Sequence, residues 1–391
     1  MLNTSLSPWP SFTQEEADAV SKVLLSNKVN YWTGTECREF EKEFAAFAGT
    51  QYAVALSNGT LALDVALKAM GIGAGDDVIV TSRTFLASAS CIVTAGANPV
   101  FADVDLNSQN ISAETIKAAL TPNTKAVIVV HLAGMPAEMD GIMDLAKEHD
   151  FWVIEDCAQA HGAKYKGKSV GSIGHVGAWS FCQDKIMTTG GEGGMVTTND
   201  KELWSKMWSY KDHGKSYDAV YHREHAPGFR WLHESFGTNW RMMEMQAVIG
   251  RIQLKRMPEW TARRQAHAAK LAESLGKFAS IRLIEVADYI EHAQYKFYAF
   301  VKPEHLKEGW TRDRIVSELN ARKVPCYQGS CSEVYLEKAF DNTPWRPKER
   351  LKNAVELGDT SLMFLVHPTL TDDEIAFCKE HIEAVLAQAT A

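Results

Sequence analysis

Between about residues 50 and 200, runs of consecutive apolar and β-branched positions alternate with segments whose apolar residues recur every three to four positions. The first pattern predicts strands buried on both faces, and the second predicts amphipathic helices that cover them. The strand runs are YAVALS (52–57), DVIVTS (77–82), PVFADVD (99–105), KAVIVVHLAG (125–134), FWVIED (151–156), GAWSF (177–181) and GMVTTN (194–199). LALDVALKAM (61–70), AETIKAALTP (113–122) and MDGIMDLAKEHD (139–150) read as covering helices, each ending near glycine, proline or polar residues. Such alternation predicts an α/β fold, with a parallel sheet layered between helices.

The pattern then changes. Residues 201–235 are basic and rich in aromatics, and MEMQAVIGRIQLKRMPEWTARRQAHAAKLAESLG (243–276) predicts one long helix leading out of the large domain. YKFYAFVKP (295–303) reads as a strand and RDRIVSELNARKVP (312–325) as a helix of a smaller α+β unit. The expected division is a large α/β domain over residues 1–255, with an amino-terminal helical segment, and a small carboxyl-terminal α+β domain over 256–391.

Composition narrows the function classes. A formal net charge of -8 argues against nucleic acid as a partner, and 46% hydrophobic with 23% charged residues is ordinary for a globular chain. The seven cysteines are scattered, without the Cys/His spacing of a zinc site, so no metal is expected and the thiols read as reduced. MLNTSLSPWPSFTQEEADAV lacks the basic and apolar regions of a leader, and no apolar run approaches the roughly 18 residues of a membrane span. A cytoplasmic protein acting on small molecules is the resulting expectation.

Four segments place chemistry at the carboxyl ends of strands, where open α/β sheets bind ligands. In SNGTLALDVAL (57–67) a strand end runs through Gly59 and Thr60 into a helix whose exposed N–H groups suit a phosphate, although an ordinary helix cap reads the same way. FWVIEDCAQAHG (151–162) ends a strand in Glu155 and Asp156, with Gln159 three residues on. Asp156 can hold a proton on a heterocyclic nitrogen while Gln159 donates to a ring oxygen; equally, Asp156 can cap a following helix. His161 reads as a packed residue. Phe85, in TSRTFLASAS (81–90), can lie flat on an aromatic ring or belong to the core. Finally, GAWSFCQDKIMTTGGEGGMVTTN (177–199) sets Ser180 at a strand end and Lys185 just beyond it, before Gly190, Gly191, Gly193 and Gly194. An amine there can form a Schiff base with a bound aldehyde, or simply be solvated. A phosphate site, a carboxylate for a pyridinium nitrogen, an aromatic ring and a lysine together point to pyridoxal phosphate. GIGAGDD (71–77) imitates a dinucleotide loop but follows a helix and precedes a strand, which makes it a connecting turn.

NGTLALDVAL, RTFLASAS, PVFADVD, HLAGMPAEMD, EDCAQAHGAKYKGKSVGS, SFCQDK with GGEGGMVTTND, and GTNWRMMEMQAVIGRIQL (237–254) occur in the order and spacing of the DegT/StrS family of sugar aminotransferases, which the chain resembles strongly over about residues 10–260 and weakly beyond. The resemblance implies the type I, aspartate aminotransferase-like fold, with a mostly parallel seven-stranded sheet between helices and a smaller α+β domain. It implies that Lys185 bonds the cofactor and carries the proton between cofactor and substrate carbons. Asp156 would pair with the pyridine nitrogen, Gln159 with the ring hydroxyl, and Phe85 would stack on one face. Gly59, Thr60 and Ser180 would hold the phosphate, joined by Asn239 of a neighbouring subunit, which makes a homodimer with shared active sites the minimal unit.

The family further implies glutamate as donor and a keto sugar, usually nucleotide-linked, as acceptor, in amino-sugar and surface polysaccharide biosynthesis. Lysine at 185, where related dehydratases carry histidine, favours transamination over dehydration. VPCYQGSCSEVY (324–335) departs from the His-Tyr-Pro-like segment that many members place near the nucleotide, which leaves the nucleotide open. Glu192 in GGEGG resembles enzymes acting at sugar C4, whereas the spacing from Lys185 to Glu192 resembles the C3 group; the expectation is C4, with C3 second. A sugar dehydratase or lyase and a non-catalytic regulatory homologue are the alternatives. MWSYKDHGKSYDAVYHREHAPGFRWLHESFG (207–237), with NYWTG (30–34), lines the substrate pocket or forms a surface excursion at the dimer interface.

Overall fold

The computed structural model describes residues 6–391, so the first five residues of the segment read as lacking a leader lie outside the described residues. Helices α1 (Gln14–Leu25) and α2 (Glu36–Ala48) lead into β1 (Tyr52–Leu56), and α3 (Gly59–Ala69), β2 (Asp77–Thr81), α4 (Ala87–Thr94), β3 (Asn98–Ala102), α5 (Ala113–Ala119), β4 (Thr124–Val130), α6 (Met139–His149) and β5 (Trp152–Asp156) follow in strict alternation. A hairpin of β6 (Lys164–Tyr165) and β7 (Lys168–Ser169) precedes β8 (Val176–Ser180) and β9 (Gly194–Thr198). All seven strands expected from the apolar runs form one sheet, in the order β1-β9-β8-β5-β4-β2-β3. Pairing is parallel from β3 through β8, and β9 runs antiparallel to both β8 and β1. β1 therefore points the same way as the parallel strands, and six carboxyl ends share one edge of the sheet.

Boundaries shift where local chemistry intervenes. β4 stops at Val130 rather than 134, because Ala133 takes a left-handed φ of 57° and turns its N–H toward a side-chain acceptor. α3 starts two residues early, at Gly59, because the Asn58 side chain caps it. α5 ends at Ala119, three residues before Pro122. The glycine turn between α3 and β2 places Gly71 and Gly75 at φ of 75° and 92°, a region open to glycine without strain, and confirms the connecting role of GIGAGDD.

After α7 (Lys201–Tyr210) and α8 (Tyr217–Tyr221), α9 (Glu244–Leu275) runs for 32 residues. Ala247, Met257 and Trp260 pack into the core beside the large sheet, whereas Ala268, Leu271 and Leu275 pack into a second core. That core is built on an antiparallel sheet of β10 (Ile281–Leu283), β12 (Phe297–Val301), β14 (Ser361–Phe364) and β13 (Cys326–Tyr327), in that order, covered by α10 (Arg312–Ala321) and α12 (Asp372–Ala389). α11 (Lys352–Thr360) packs on β12, and β11 (Ile290–Glu291) adds to the β6–β7 hairpin of the large sheet's side. Residue 255 falls within α9, so this helix is rooted in both cores. No helix among the described residues is long and apolar enough to cross a membrane.

Candidate active site

The shared strand edge opens into a cavity of about 580 Å³ lined by Gly59, Thr60, Phe85, Asp156, Gln159, Ser180 and Lys185, together with Asn58, Ser88, Cys182, Asp184 and Glu192. At its floor, α3 begins against β8 and β9. A Cβ on Gly59 would lie 2.5 Å from the Ser180 Cβ, and one on Gly194 would lie 2.2 Å from the Asn58 carbonyl oxygen, so only glycine lets these segments close. Asn58 accepts the Leu61 N–H at 3.0 Å. The N–H groups of Gly59 and Thr60, at the first helical positions, have no acceptor within the helix. Ser180 Oγ accepts the Cys182 N–H at 3.3 Å, which leaves its hydroxyl proton to donate. Two N–H groups, a hydroxyl and a positive helix end suit a phosphate.

Asp156, the last residue of β5, is buried and no helix follows it, so the capping alternative does not hold. Its Oδ2 accepts from the Ser88 hydroxyl at 2.8 Å, Ser88 in turn lies 2.9 Å from the Thr84 hydroxyl, and Oδ1 accepts the Ala158 N–H at 3.1 Å. Burial raises the carboxyl pKa, opposed by these two hydrogen bonds and by the charge of Lys185. A buried carboxylate that gains from a nearby cation fits a protonated ring nitrogen. Gln159 is held by the Ala133 N–H, 2.7 Å from Oε1, so its NH₂ is the group left to donate into the cavity. Phe85 is 70% exposed at the cavity wall and is not a core residue.

Lys185 sits in the loop between β8 and β9. Its N–H bonds the Cys182 carbonyl at 3.0 Å, and its own carbonyl accepts the Trp9 indole N–H at 2.8 Å. Nζ lies 3.8 Å from Asp184 Oδ1 and 5.4 Å from the centre of the Tyr295 ring. Asp184 and Tyr295 were not singled out by the sequence. Asp184 adjoins Lys185 but reads as a solvated loop acid, and Tyr295 arrives from 110 residues further on. Ser88 also went unnoticed, although its place three residues after Phe85 at a helix start was a usable signal.

Other candidates do not line this chain's own cavity. His161 is fully buried against Phe44, Trp179 and Phe181, and burial, with the charges of Lys185 and Arg264, lowers its pKa to about 3, so it is a neutral packed residue. His131, Glu155 and Cys157 converge closely enough to hold an ion, yet Glu155 already accepts His131 Nε2 at 2.9 Å and the N–H groups of Gly171, Ile173 and Gly174. That network pins the loop before β8. Asn239 is exposed, pairs through its backbone with Asp212, and does not line the cavity. Of residues 207–237, none among the described residues lines this cavity; Phe229, Trp231 and Phe236 are 78%, 82% and 99% exposed, and Trp32 of NYWTG packs on Trp208 at 6.1 Å. The donors at the α3 start, the Asp156 carboxylate and the Lys185 amine match the phosphate, ring nitrogen and aldehyde of pyridoxal phosphate, so the residues present fit that cofactor.

Residues 10–383 match the profile of the DegT/DnrJ/EryC1/StrS aminotransferase family. GDP-perosamine synthase of Escherichia coli O157:H7 is 41% identical over 95% of this chain and 96% of its own length. UDP-N-acetyl-3-dehydro-alpha-D-glucosamine 3-aminotransferase of Acidithiobacillus ferrooxidans is also 41% identical, over 91% of this chain and 90% of its own. The X-ray structure of an aminotransferase from Psychrobacter cryohalolentis is 65% identical and superimposes with a TM-score of 0.96, covering 98% of this chain and 99% of that one.

Proposed function

This chain belongs to the DegT/DnrJ/EryC1/StrS aminotransferase family, and from that premise we propose that it moves the amino group of glutamate onto C4 of a nucleotide-linked keto sugar. As a member it is a sugar aminotransferase that uses pyridoxal phosphate. When bound, the cofactor supplies an aldehyde for an amine and a cationic ring that draws electrons from the reacting carbon. The Gly59 and Thr60 N–H groups and the Ser180 hydroxyl hold its phosphate. Asp156 keeps a proton on the ring nitrogen, its own position set by Ser88 and Ala158. Gln159 donates to the ring oxygen, and Phe85 covers one face. The Lys185 amine, which lines the same cavity, would accept a proton at one carbon and return it at another. Asn239 of a second copy completes the phosphate site.

The observation that carries the C4 assignment is Glu192, which lines the cavity with Lys185 and belongs to a glycine motif resembling that of C4 enzymes. The relative named as a 3-aminotransferase supports C3 as the second reading. The test begins with the visible absorption of the chain loaded with pyridoxal phosphate, which glutamate should bleach in the wild type and shift without bleaching in Lys185→Ala. Nucleotide-linked 4-keto and 3-keto sugars are then offered to the aminated enzyme. Return of the absorption with only the 4-keto acceptors supports the proposal. Preference for 3-keto acceptors moves the amination to C3, and a spectrum unmoved by glutamate removes glutamate as donor.

A further inference from the structure

We propose that Asp184 and Tyr295 are a pair of positioning residues for the Lys185 amine, with Tyr295 pinning the Asp184 carboxylate beside Nζ and the carboxylate fixing where the amine stands. The inference rests on the reading of Lys185 as the residue that bonds the cofactor. Asp184 is 61% exposed where it lines the cavity, so nothing in its own packing keeps it turned toward Lys185. The restraint comes from Tyr295, which is buried and donates its hydroxyl to Asp184 Oδ2 at 2.5 Å, leaving Oδ1 3.8 Å from Nζ. The face of the same ring lies toward the amine, with its centre 5.4 Å from Nζ, a cation–π arrangement.

Tyr295 is itself fixed at both ends of its peptide. Its N–H bonds the Ala133 carbonyl at 2.9 Å, and its carbonyl accepts from Arg264 at 3.3 Å. Ala133 is the residue whose N–H orients Gln159, so the pairing of its peptide with Tyr295 links two sides of the cavity. Other titratable groups face Lys185 as well. Asp156 and Cys182 do so from the cavity wall, and His161 from beneath, where it is neutral. On the Tyr295 side stand Arg264 and Lys296, whose pKa burial and the Arg264 charge bring down to about 8. Asp184 is the acid nearest the amine, with Asp156 and Glu192 further along the same cavity wall. Burial tends to raise its carboxyl, but the Lys185 charge and the Tyr295 hydroxyl outweigh that and hold it low, so it is an anion at neutral pH.

The test reads amine reactivity in the full-length chain without cofactor, by trace acetylation with acetic anhydride at pH 7.5 and peptide mass spectrometry at Lys185. Lys211, whose Nζ is buried 3.5 Å from the centre of the Tyr31 ring, serves as internal control because only loss of structure exposes it. With the carboxylate gone in Asp184→Asn, the amine is no longer held at its 3.8 Å contact, and labelling should rise about threefold, the size expected of a partly exposed charge pair. Asp184→Glu should return the rate toward wild type. Tyr295→Phe keeps the ring but frees Asp184 to turn into solvent, so it should raise labelling in the same direction, and the double variant should exceed Asp184→Asn by nothing. Unchanged labelling in Asp184→Asn, additive effects in the double variant, or labelling of Lys211 alongside Lys185 would each overturn the pairing. A wild-type chain that never develops visible absorption with pyridoxal phosphate would sink the cofactor reading instead, since acetylation reports on the amine either way.

Discussion

At the scale of single residues, Asp156 shows how function is maintained at the expense of the empty fold. Burial is the leading influence on its carboxyl and raises its pKa, so the charged form is less favourable in the folded chain than in the unfolded one. A group raised in this way contributes stability that is full below the unfolded value, about 4, and lost as pH rises through the folded value. At neutral pH, cofactor-free Asp156→Asn should therefore melt at the same temperature as wild type or up to about 2 °C higher, and the difference should vanish below about pH 4. Loaded with pyridoxal phosphate the order reverses, because Asn cannot hold a proton on the ring nitrogen; turnover should fall on the order of 10²-fold. Paired thermal melts and a steady-state assay across pH check both halves. The residues expected to hold the cofactor were legible because they sit at the carboxyl end of an apolar strand or a few residues past it, where open sheets place ligands. The residues that support them were not. Ser88 and Ala133 act through hydrogen bonds set by the turn of a helix and a left-handed peptide, and Tyr295 reaches Asp184 across 111 residues, a contact without trace in local pattern.

At the scale of elements, the proposed phosphate cradle depends on how closely α3 begins against the sheet. A Cβ on Gly194 would stand 2.2 Å from the Asn58 carbonyl oxygen and 2.9 Å from the Gly59 nitrogen, both backbone atoms that no rotamer change can move. Gly194→Ala should push the start of α3 off β9, cost roughly 1–3 kcal/mol in stability as an overpacked contact, and weaken cofactor binding at least about tenfold. Titration of visible absorption with pyridoxal phosphate, alongside a thermal melt, separates the two losses; unchanged affinity would mean that the α3 start is not where the phosphate is held. The seven strands of the large sheet were readable because burial on both faces leaves continuous apolar runs. The reversed direction of β9 was not, since an apolar run looks the same in either sense. β13 and β14, of two and four residues, are too short to show any period. α2 did carry a signal, with Phe40, Phe44 and Phe47 at helical spacing, and Phe40 and Phe44 fill the core against Phe181 just ahead of the Lys185 loop.

At the scale of the whole molecule, the cavity and the residue expected to complete it lie apart. Asn239 is exposed outside its own chain's cavity, and the arm before it carries Phe229, Trp231 and Phe236 largely open to solvent. An apolar arm of that kind suits burial against another protein surface, and a second copy of the chain is the simplest partner, through a two-fold interface that each subunit both gives and receives. If Asn239 serves the phosphate site of the opposite subunit, two defective chains can repair one another. Lys185→Ala abolishes the site in its own subunit, whereas Asn239→Ala damages the site across the interface. In a mixed dimer both lesions then fall on the same site and the other is intact. Random exchange makes about half the dimers mixed, each with one of two sites whole, so activity should recover to about a quarter of wild type when two inactive preparations are unfolded and refolded together. Size-exclusion chromatography with light scattering fixes the oligomer, and the assay after remixing reads the complementation. Recovery carries the shared-site reading; a dimer whose mixed form stays inactive would place both residues in one subunit's site, against the exposed position of Asn239 in this fold.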